Sequence, residues 1–297
     1  MKPQLLKISS NPAFSFQVRH DRVSYFYDKW HYHPEVELVY ILKGTGTQFI
    51  GNDIDRFAPG DMIMVGANLP HLWRCDQQYY EGKESRMAES SVLHFAPQAL
   101  GEQFWQMPEN KAFYELLERA RLGVVIEGAA KKAIVRYMKQ LESASEHGRT
   151  ILLLQILEAA TSPVDTRTIL SSTTHKEDFH DKSESERMNR IYQYIFNNFQ
   201  QKISLEDIAR VAHISPHSFC RFFKSKTKKS FSTFLTEVRI HHACKLLAET
   251  DHPVSDICYE SGFNNFSNFN RHFKLLKNKS PLQHRQQYQQ PKKGICL

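Results

Sequence analysis

The sequence has few cysteines, and none of them are spaced for a disulfide framework or a zinc site. Its five cysteines are odd in number, widely scattered and free of any C-x-x-C motif. This distribution argues against both a bridged secreted domain and a zinc knuckle. Reduced thiols are therefore expected.

Long apolar runs are also missing. Residues 1–7 contain no apolar signal segment, and the longest aliphatic stretch, residues 151–157, is interrupted by Gln155 and is too short to cross a bilayer. We therefore predict a cytoplasmic location. A Walker loop, a G-x-G-x-x-G turn after a strand and an ordered Ser/His/Asp nucleophile motif are absent as well, so these motifs provide no evidence of catalysis.

Acidic residues are scarce in the C-terminal third of the chain. Residues 187–297 contain 18 Lys and Arg against 7 Asp and Glu, whereas residues 1–186 contain 21 against 25. The net charge of +7 therefore comes from the C-terminal part. Such a basic surface suits a polyanion, although charge alone leaves open a solvated face without a partner.

The remaining sequence divides into segments with different periodicities. Short alternating apolar and polar runs from about residue 14 to residue 95, punctuated by glycine and proline, predict a small all-β barrel or sandwich. Apolar residues at three- and four-residue steps between residues 101 and 160 predict amphipathic helices. Residues 162–186 are polar and poor in large apolar side chains, which predicts an interdomain linker.

An internal repeat with a period of about 50 residues occupies the C-terminal part. The aromatic and basic residues of the two copies match in order: Phe219, Arg221, Phe223 and Lys224 match Phe269, Arg271, Phe273 and Lys274. Ser204 with Asp207 predicts a capped helix, Ser215 before a proline predicts the start of the next one, and Asn265 is the predicted cap in the second copy. Two helix-turn-helix motifs are thus predicted.

One uninterrupted helix is predicted over residues 231–249, between the two copies. Its length of roughly 27 Å can hold two recognition helices about one DNA turn, roughly 34 Å, apart. The basic charge, the repeat and this spacing together predict a DNA-binding unit.

The C-terminal sequence resembles the AraC/XylS family of bacterial transcription regulators. The matching motifs are Ile203-Ser-Leu-Glu-Asp-Ile-Ala209, Phe219-x-Arg221-x-Phe223-Lys224, Gly262-Phe263, Phe269-x-Arg271-x-Phe273-Lys274 and Ser280-Pro281-x-x-x-Arg285. The resemblance implies a seven-helix double motif, double-stranded DNA and RNA polymerase as partners, a homodimer, and activation as the commoner outcome. The family usually has glycine where this chain has Lys228 and Asn278, and the steric cost of a left-handed lysine predicts a different end for the first motif.

The resemblance also implies which residues contact DNA. Arg and Asn side chains can pair bidentately with guanine and adenine edges. Phe266 is open to two interpretations, since its ring could meet a thymine methyl group or belong to the core. The implied DNA-contacting residues are His217, Ser218, Cys220, Arg221, Lys224, Phe266, Ser267, Asn268, Asn270, Arg271 and Lys274.

The N-terminal half resembles the cupin barrel, because His31, His33 and Glu37 are followed later by His71. In metal-dependent cupins these motif positions bind one divalent ion, and residues 31, 33, 35 and 37 are predicted to share one strand face, so that the ligands converge. The alternative is a metal-free barrel that holds a small molecule, as in AraC-type sensor domains. The aromatic residues near the motif have two interpretations of equal weight, stacking on the ligand or packing in the barrel core. The predicted contacts of that molecule are His31, His33, Glu37, Tyr40, His71 and Trp73.

These predictions combine into an α+β multidomain protein that is not an enzyme. The predicted parts are a cupin-like sensing barrel in residues 1–100, a helical segment in 101–161, the linker in 162–186, an all-α double helix-turn-helix domain in 187–290 and a tail in 291–297. The helical segment provides dimer contacts or one intrachain layer. The leading hypothesis is a regulator that responds to a small molecule such as a sugar and needs no cofactor. The alternatives are a metal-dependent cupin enzyme fused to a DNA-binding module and an architectural DNA-binding protein.

Overall fold

The computed structural model describes residues 4–6, 8, 15–51, 53–81, 86–169 and 182–289. These residues form two compact units, one from the described residues up to 169 and one from residues 182–289. In the part of the chain that is described, no helix is both long enough and apolar enough to span a membrane.

Two sheets build the first unit. Their strands in chain order are β1 (Gln4–Leu5), β2 (Phe16–Val23), β3 (His31–Tyr32), β4 (Val36–Lys43), β5 (Gly46–Ile50), β6 (Asp53–Phe57), β7 (Met62–Val65), β8 (His71–Cys75), β9 (Ala88–Phe95), β10 (Val124–Ile126) and β11 (Thr166–Thr168). One sheet has the order β1-β3-β8-β5-β6 and the other β11-β10-β7-β4-β9-β2. Apart from the parallel β1–β3 pair, the pairings are antiparallel. The predicted β-rich cupin-like half is confirmed.

An apolar core lies between the two sheets, and a second one lies on the outer face of the larger sheet. Successive side chains of a strand point to opposite faces. On β4, Val39 and Ile41 therefore belong to the inner core, whereas Leu38 and the half-buried Tyr40 belong to the outer one. The strand is thus packed on both faces.

Helices cover the outer core. They are α1 (Glu102–Gln106), α2 (Lys111–Ala120), α3 (Gly128–Gln140) and α4 (Glu146–Ala160). Leu116, Ile134 and Ile156 pack into the same cluster as Leu38. The region predicted to be helical also contains β10, which was not predicted because it is only 3 residues long and lies between two helices.

The predicted linker, residues 162–186, differs from the structure at both ends. Near its start, β11 pairs with β10, and the hydroxyl of Thr166 donates to the carbonyl oxygen of Ser162 at 2.6 Å. Near its end, a helix begins at Lys182. Polar composition misplaced these ends because a strand of 3 residues and the first turn of a helix need few large apolar side chains. Residues 170–181 of the predicted linker and the predicted tail, 291–297, lie outside the described residues.

Helices alone form the second unit, as predicted for the C-terminal domain. They are α5 (Lys182–Asn198), α6 (Leu205–Ala212), α7 (Pro216–Thr227), α8 (Phe231–Glu249), α9 (Val254–Glu260), α10 (Phe266–Lys277) and α11 (Pro281–Gln289). The predicted caps are confirmed: Ser204 and Asp207 form a capping box, Ser215 caps α7, and Asn265 caps α10. The connecting helix α8 has the predicted bounds.

The two recognition helices end with the same backbone geometry. Lys228 and Asn278 both adopt the left-handed conformation, with φ of 57° and 55°. Their N–H groups donate to the carbonyl oxygens of Lys224 and Lys274, each at 2.9 Å. The expectation that the first motif ends differently was wrong, because the chain places a lysine in the left-handed region despite its steric cost.

Candidate functional site

Helix α7 has one buried aromatic side and one exposed polar side. Phe219 and Phe223 are fully buried, and their rings contact those of Phe231 and Phe234 on α8 at 5.5 and 5.4 Å. This packing turns the opposite side of α7 to solvent. The predicted DNA-contacting residues on that side are His217, Cys220, Arg221 and Lys224, all exposed, and the half-buried Ser218.

Helix α10 repeats the arrangement. Phe269 and Phe273 are fully buried, and the Phe269 ring lies 5.3 Å from that of Phe263. The predicted DNA-contacting residues on the other side are Phe266, Ser267, Asn268, Arg271 and Lys274, all exposed, and the half-buried Asn270. Phe266 is 40% exposed with its ring 6.2 Å from Phe269, so part of the ring packs on the core and part remains open to a partner.

The two copies differ in how they hold their arginines. Arg271 donates from Nη2 to Oδ1 of Asn268 at 2.9 Å. At the corresponding place in the first copy, the side chain of Ser218 instead accepts from the hydroxyl of Ser215 at 3.0 Å. Nη2 of Arg271 also lies 3.5 Å from Nε2 of His272. Arg271 therefore has local partners that limit its rotamers, while Nε and Nη1 can still reach base edges.

The predicted barrel ligands converge in the first unit. One donor atom from each of His31, His33, Glu37 and His71 lies within 4.8 Å of the others, and all four residues are buried. The prediction that residues 31–37 share one strand face was wrong, because β3 and β4 belong to different sheets and His33 lies in the link between them. The side chains meet across the barrel instead.

Backbone carbonyls orient three of the imidazoles. The Nδ1 atoms of His31, His33 and His71 lie 2.8, 3.0 and 2.8 Å from carbonyl oxygens two residues away, those of Lys29, Glu35 and Leu69. Because a carbonyl oxygen only accepts, each Nδ1 is assigned the donating proton and each Nε2 is left for the cluster. Metal-ligating histidines are commonly held in this way.

His94 on β9 is a further member of the cluster that was not predicted. Its Nε2 lies 2.8 Å from Oε2 of Glu37, the same oxygen that lies 3.0 Å from Nε2 of His33. His94 is opposite Glu37 in the β4–β9 register. The alternation of Ser90, Val92 and His94 could have indicated an inward histidine, but no local motif encodes its strand pairing.

Glu37 is a buried carboxylate held among imidazoles. Burial raises its pKa, but the charge of His71 and the hydrogen bonds from His33 and His94 outweigh burial and hold the pKa well below its ordinary value. For His33, burial lowers the pKa, and the hydrogen bond and charge of Glu37 more than reverse this, so that the pKa is raised. Burial and the nearby His71 lower the pKa of His31 well below its ordinary value. The geometry therefore favours an ion pair between Glu37 and His33 beside a neutral His31.

The same donor set fits a divalent metal ion. Three imidazole nitrogens and one carboxylate suit a first-row transition metal, and the carbonyl-bound Nδ1 groups would keep the Nε2 atoms available as ligands. An ion bound by His31, His33, Glu37 and His71 would act as a Lewis acid or hold a substrate oxygen.

The two aromatic residues predicted to contact a ligand lie on different faces. Trp73 belongs to the inner core, with its ring edge-on to Phe57 at 5.9 Å. Tyr40 packs on the outer core instead and does not line the barrel interior, which corrects the prediction. Successive side chains of a strand point to opposite faces, so Tyr40, three positions after Glu37 on β4, lies on the face opposite to Glu37.

Two family models match the chain, one in each half. Residues 208–287 match the helix-turn-helix domain family, and residues 25–78 match the cupin domain family. The chain is 25% identical over 263 residues to the uncharacterized HTH-type transcriptional regulator YdeC of Bacillus subtilis, covering 86% of this chain and 85% of that protein. It is 23% identical over 270 residues to the melibiose operon regulatory protein of Escherichia coli K12, covering 88% and 84%. The structure of ToxT from Vibrio cholerae O395 is similar at 14% identity and a TM-score of 0.36, covering 93% of this chain and 99% of that one.

Proposed function

We propose that this chain is a transcription regulator that joins a cupin domain to an AraC-type helix-turn-helix domain, and that it activates transcription in response to a sugar-like small molecule bound in its barrel. The observation that carries the DNA-binding part is the pair of capped recognition helices with exposed arginine and asparagine side chains. The buried polar cluster around Glu37 supports the sensing part.

Each recognition helix reads one segment of a bipartite site in this proposal. Arg221 on α7 and Arg271 on α10 are the residues best suited to guanine, and Asn270 suits adenine. Asn268 positions Arg271 through its hydrogen bond at 2.9 Å. The exposed lysines Lys224 and Lys274 contact phosphates, which fixes register and makes binding depend on salt. Helix α8, with 19 residues, spans about 28 Å and sets the separation.

The barrel interior supplies the effector site. Imidazoles and a carboxylate can donate to or accept from the hydroxyl groups of a sugar, and the apolar core around Trp73 can cover its hydrocarbon faces. The similarity to a protein named for the melibiose operon adds support for a sugar. Melibiose and its component sugars are therefore the first compounds to examine.

The signal leaves the barrel through β4. Glu37 lies on the inner face of this strand, while Leu38 packs against the helical layer on its outer face. A ligand that binds one conformation of this strand more tightly than another increases the population of that conformation, and with it the matching conformation of the helical layer. Helix α4 of that layer exposes Ile151, which is 58% exposed, and we assign this layer to homodimer contacts.

The test combines operator selection with transcription. A binding site is selected from random DNA with the full-length chain and placed before a reporter gene transcribed by RNA polymerase. Addition of a sugar that raises the melting temperature of the protein is expected to raise transcription, since ligand binding stabilises the state it prefers. Unchanged or lower transcription with a bound sugar would contradict activation.

A divalent metal in the barrel is a second candidate, favoured by the buried donor atoms of His31, His33, Glu37 and His71, which lie within 4.8 Å of one another. In this case the first unit acts as a metal-dependent enzyme fused to the DNA-binding unit. Metal analysis of the purified chain is expected to show a stoichiometric transition metal that is lost in His31→Ala and His33→Ala but kept in the control His147→Ala, an exposed histidine on α4. Protein purified without chelators that contains no metal, and takes up none on addition, would end this candidate.

A further inference from the structure

Several buried polar atoms of the first unit have no hydrogen-bond partner among the described residues, and two of them lie on neighbouring strands of the smaller sheet. They are Oε1 of Gln48 on β5 and Nε1 of Trp73 on β8. The two residues are only 5% and 6% exposed, and they lie opposite each other in the β5–β8 register. Buried polar groups are nearly always hydrogen-bonded in proteins, so this pair calls for a partner from outside the chain.

Both side chains lie on the inner face of their sheet. Gln48 lies two residues before Ile50, and Trp73 lies two residues after His71, and side chains two apart on a strand share a face. Ile50 and Trp73 belong to the core between the sheets. The indole of Trp105 provides a contrast, because its N–H donates to a carbonyl oxygen at 2.8 Å.

We infer that Gln48 and Trp73 form a subsite for one hydroxyl group of an uncharged ligand. An amide oxygen accepts and an indole N–H donates, so the partner must do both, and a hydroxyl does so in either orientation of the amide. An ammonium group cannot accept from the indole. A carboxylate cannot donate to the amide oxygen, and it would lie in the same interior as the charge of Glu37.

Neighbouring aromatic rings define the rest of the ligand. Phe57 stands edge-on to Trp73 at 5.9 Å and contacts the ring of Phe26 at 5.7 Å. A ligand with an apolar face beside its hydroxyl groups matches this wall, which is the character of a neutral sugar. The inference rests on the proposed effector site and adds the chemistry that one part of that site recognises.

The test uses the full-length chain with D-glucose, D-galactose and melibiose as probes. Gln48→Leu and Trp73→Phe each remove the polar atom while keeping an apolar side chain, and each is expected to weaken sugar binding about tenfold in titration calorimetry. The matched control is Trp105→Phe, which lies outside the barrel and should keep the wild-type Kd. A second measurement uses only the wild-type chain. In its 1H–15N spectra, the Trp73 indole resonance should move when sugar is added, while that of Trp105 should stay.

The outcomes separate the subsite from the effector site. If a sugar binds, yet both variants keep the wild-type Kd and the Trp73 resonance does not move, the subsite is overturned and sugar sensing stands; the two atoms then hold water only. If none of the three sugars binds, both the subsite as assigned and the sugar effector are overturned. Tenfold losses together with a moving Trp73 resonance support the subsite.

Discussion

Replacement of Arg271 by alanine tests base reading by the second recognition helix. A bidentate arginine–guanine contact contributes about 1–3 kcal/mol to discrimination between bases. Arg271→Ala is therefore expected to weaken binding to the selected operator about 5- to 150-fold and to remove the preference at one base pair. The assay is competition binding between the operator and versions that carry each of the other bases at every position.

The hydrogen bond from Arg271 to Asn268, at 2.9 Å, adds a second step to this prediction. Immobilising a flexible side chain on binding costs about 0.5–1.5 kcal/mol. The cost is smaller when the free protein already holds that side chain in place. Asn268→Ala is expected to weaken operator binding by up to about 1 kcal/mol, roughly fivefold, and at the same base pair as Arg271→Ala. In the double variant the loss at Asn268 should disappear, since no arginine remains to be positioned.

Lys274→Ala is the matched control, because Lys274 is exposed on the same helix but is assigned to phosphate. It should weaken binding to all DNA sequences about equally and reduce the salt slope by about 1. An equal loss on operator and random DNA for Arg271→Ala would refute base reading by this residue. Additive losses in the double variant would refute positioning by Asn268.

Three further predictions concern stability. Lys228→Gly should raise the free energy of unfolding by about 1 kcal/mol, because glycine removes the steric strain of a left-handed lysine. Asn278→Gly should change it less. A lower melting temperature for Lys228→Gly would contradict this prediction. Glu37→Leu should lower the free energy of unfolding by about 3 kcal/mol, because it removes the carboxylate from a buried charge pair, and wild-type stability in urea would be the contrary result. Phe223→Ala removes a fully buried ring from α7 and should lower the free energy of unfolding of the second unit by about 3–5 kcal/mol. The variant should lose DNA binding but keep sugar binding by the barrel. Calorimetric melts that show the second unit unaffected would contradict the last prediction.

The DNA-binding half was predicted closely because its determinants are local. The capping side chains of Ser204, Ser215 and Asn265 lie within three residues of the N–H groups that they accept from. The aromatic residues of α7 recur at helical spacing, so their buried side follows from period alone. Lys228 departed from expectation because the backbone geometry needed for the next helix outweighs a steric cost of about 1–2 kcal/mol.

The barrel half was predicted in class but not in detail, because its determinants are pairings between distant strands. The motif of His31, His33, Glu37 and His71 identified the cluster correctly as a group of neighbours. It could not show that the chain changes sheets between β3 and β4, since that depends on which strands pair. Tyr40 was misplaced for a related reason: the prediction took closeness in sequence as closeness in space, while strand parity placed it on the helix-covered face.

His94 and Gln48 show what a motif leaves out of a barrel site. His94 reaches Glu37 only because β9 lies beside β4 in a register that places residues 57 positions apart opposite each other. Gln48 meets Trp73 through the β5–β8 register in the same way. A slip of one residue in either pairing would turn these polar groups to the other face of the sheet. The polar interior is therefore fixed by the apolar alternation that sets the registers, with Val39 and Ile41 on the inner face and Leu38 on the outer. Since that alternation is itself visible in the sequence, inward polar residues in barrel strands are the positions to test as ligand contacts even when no motif contains them.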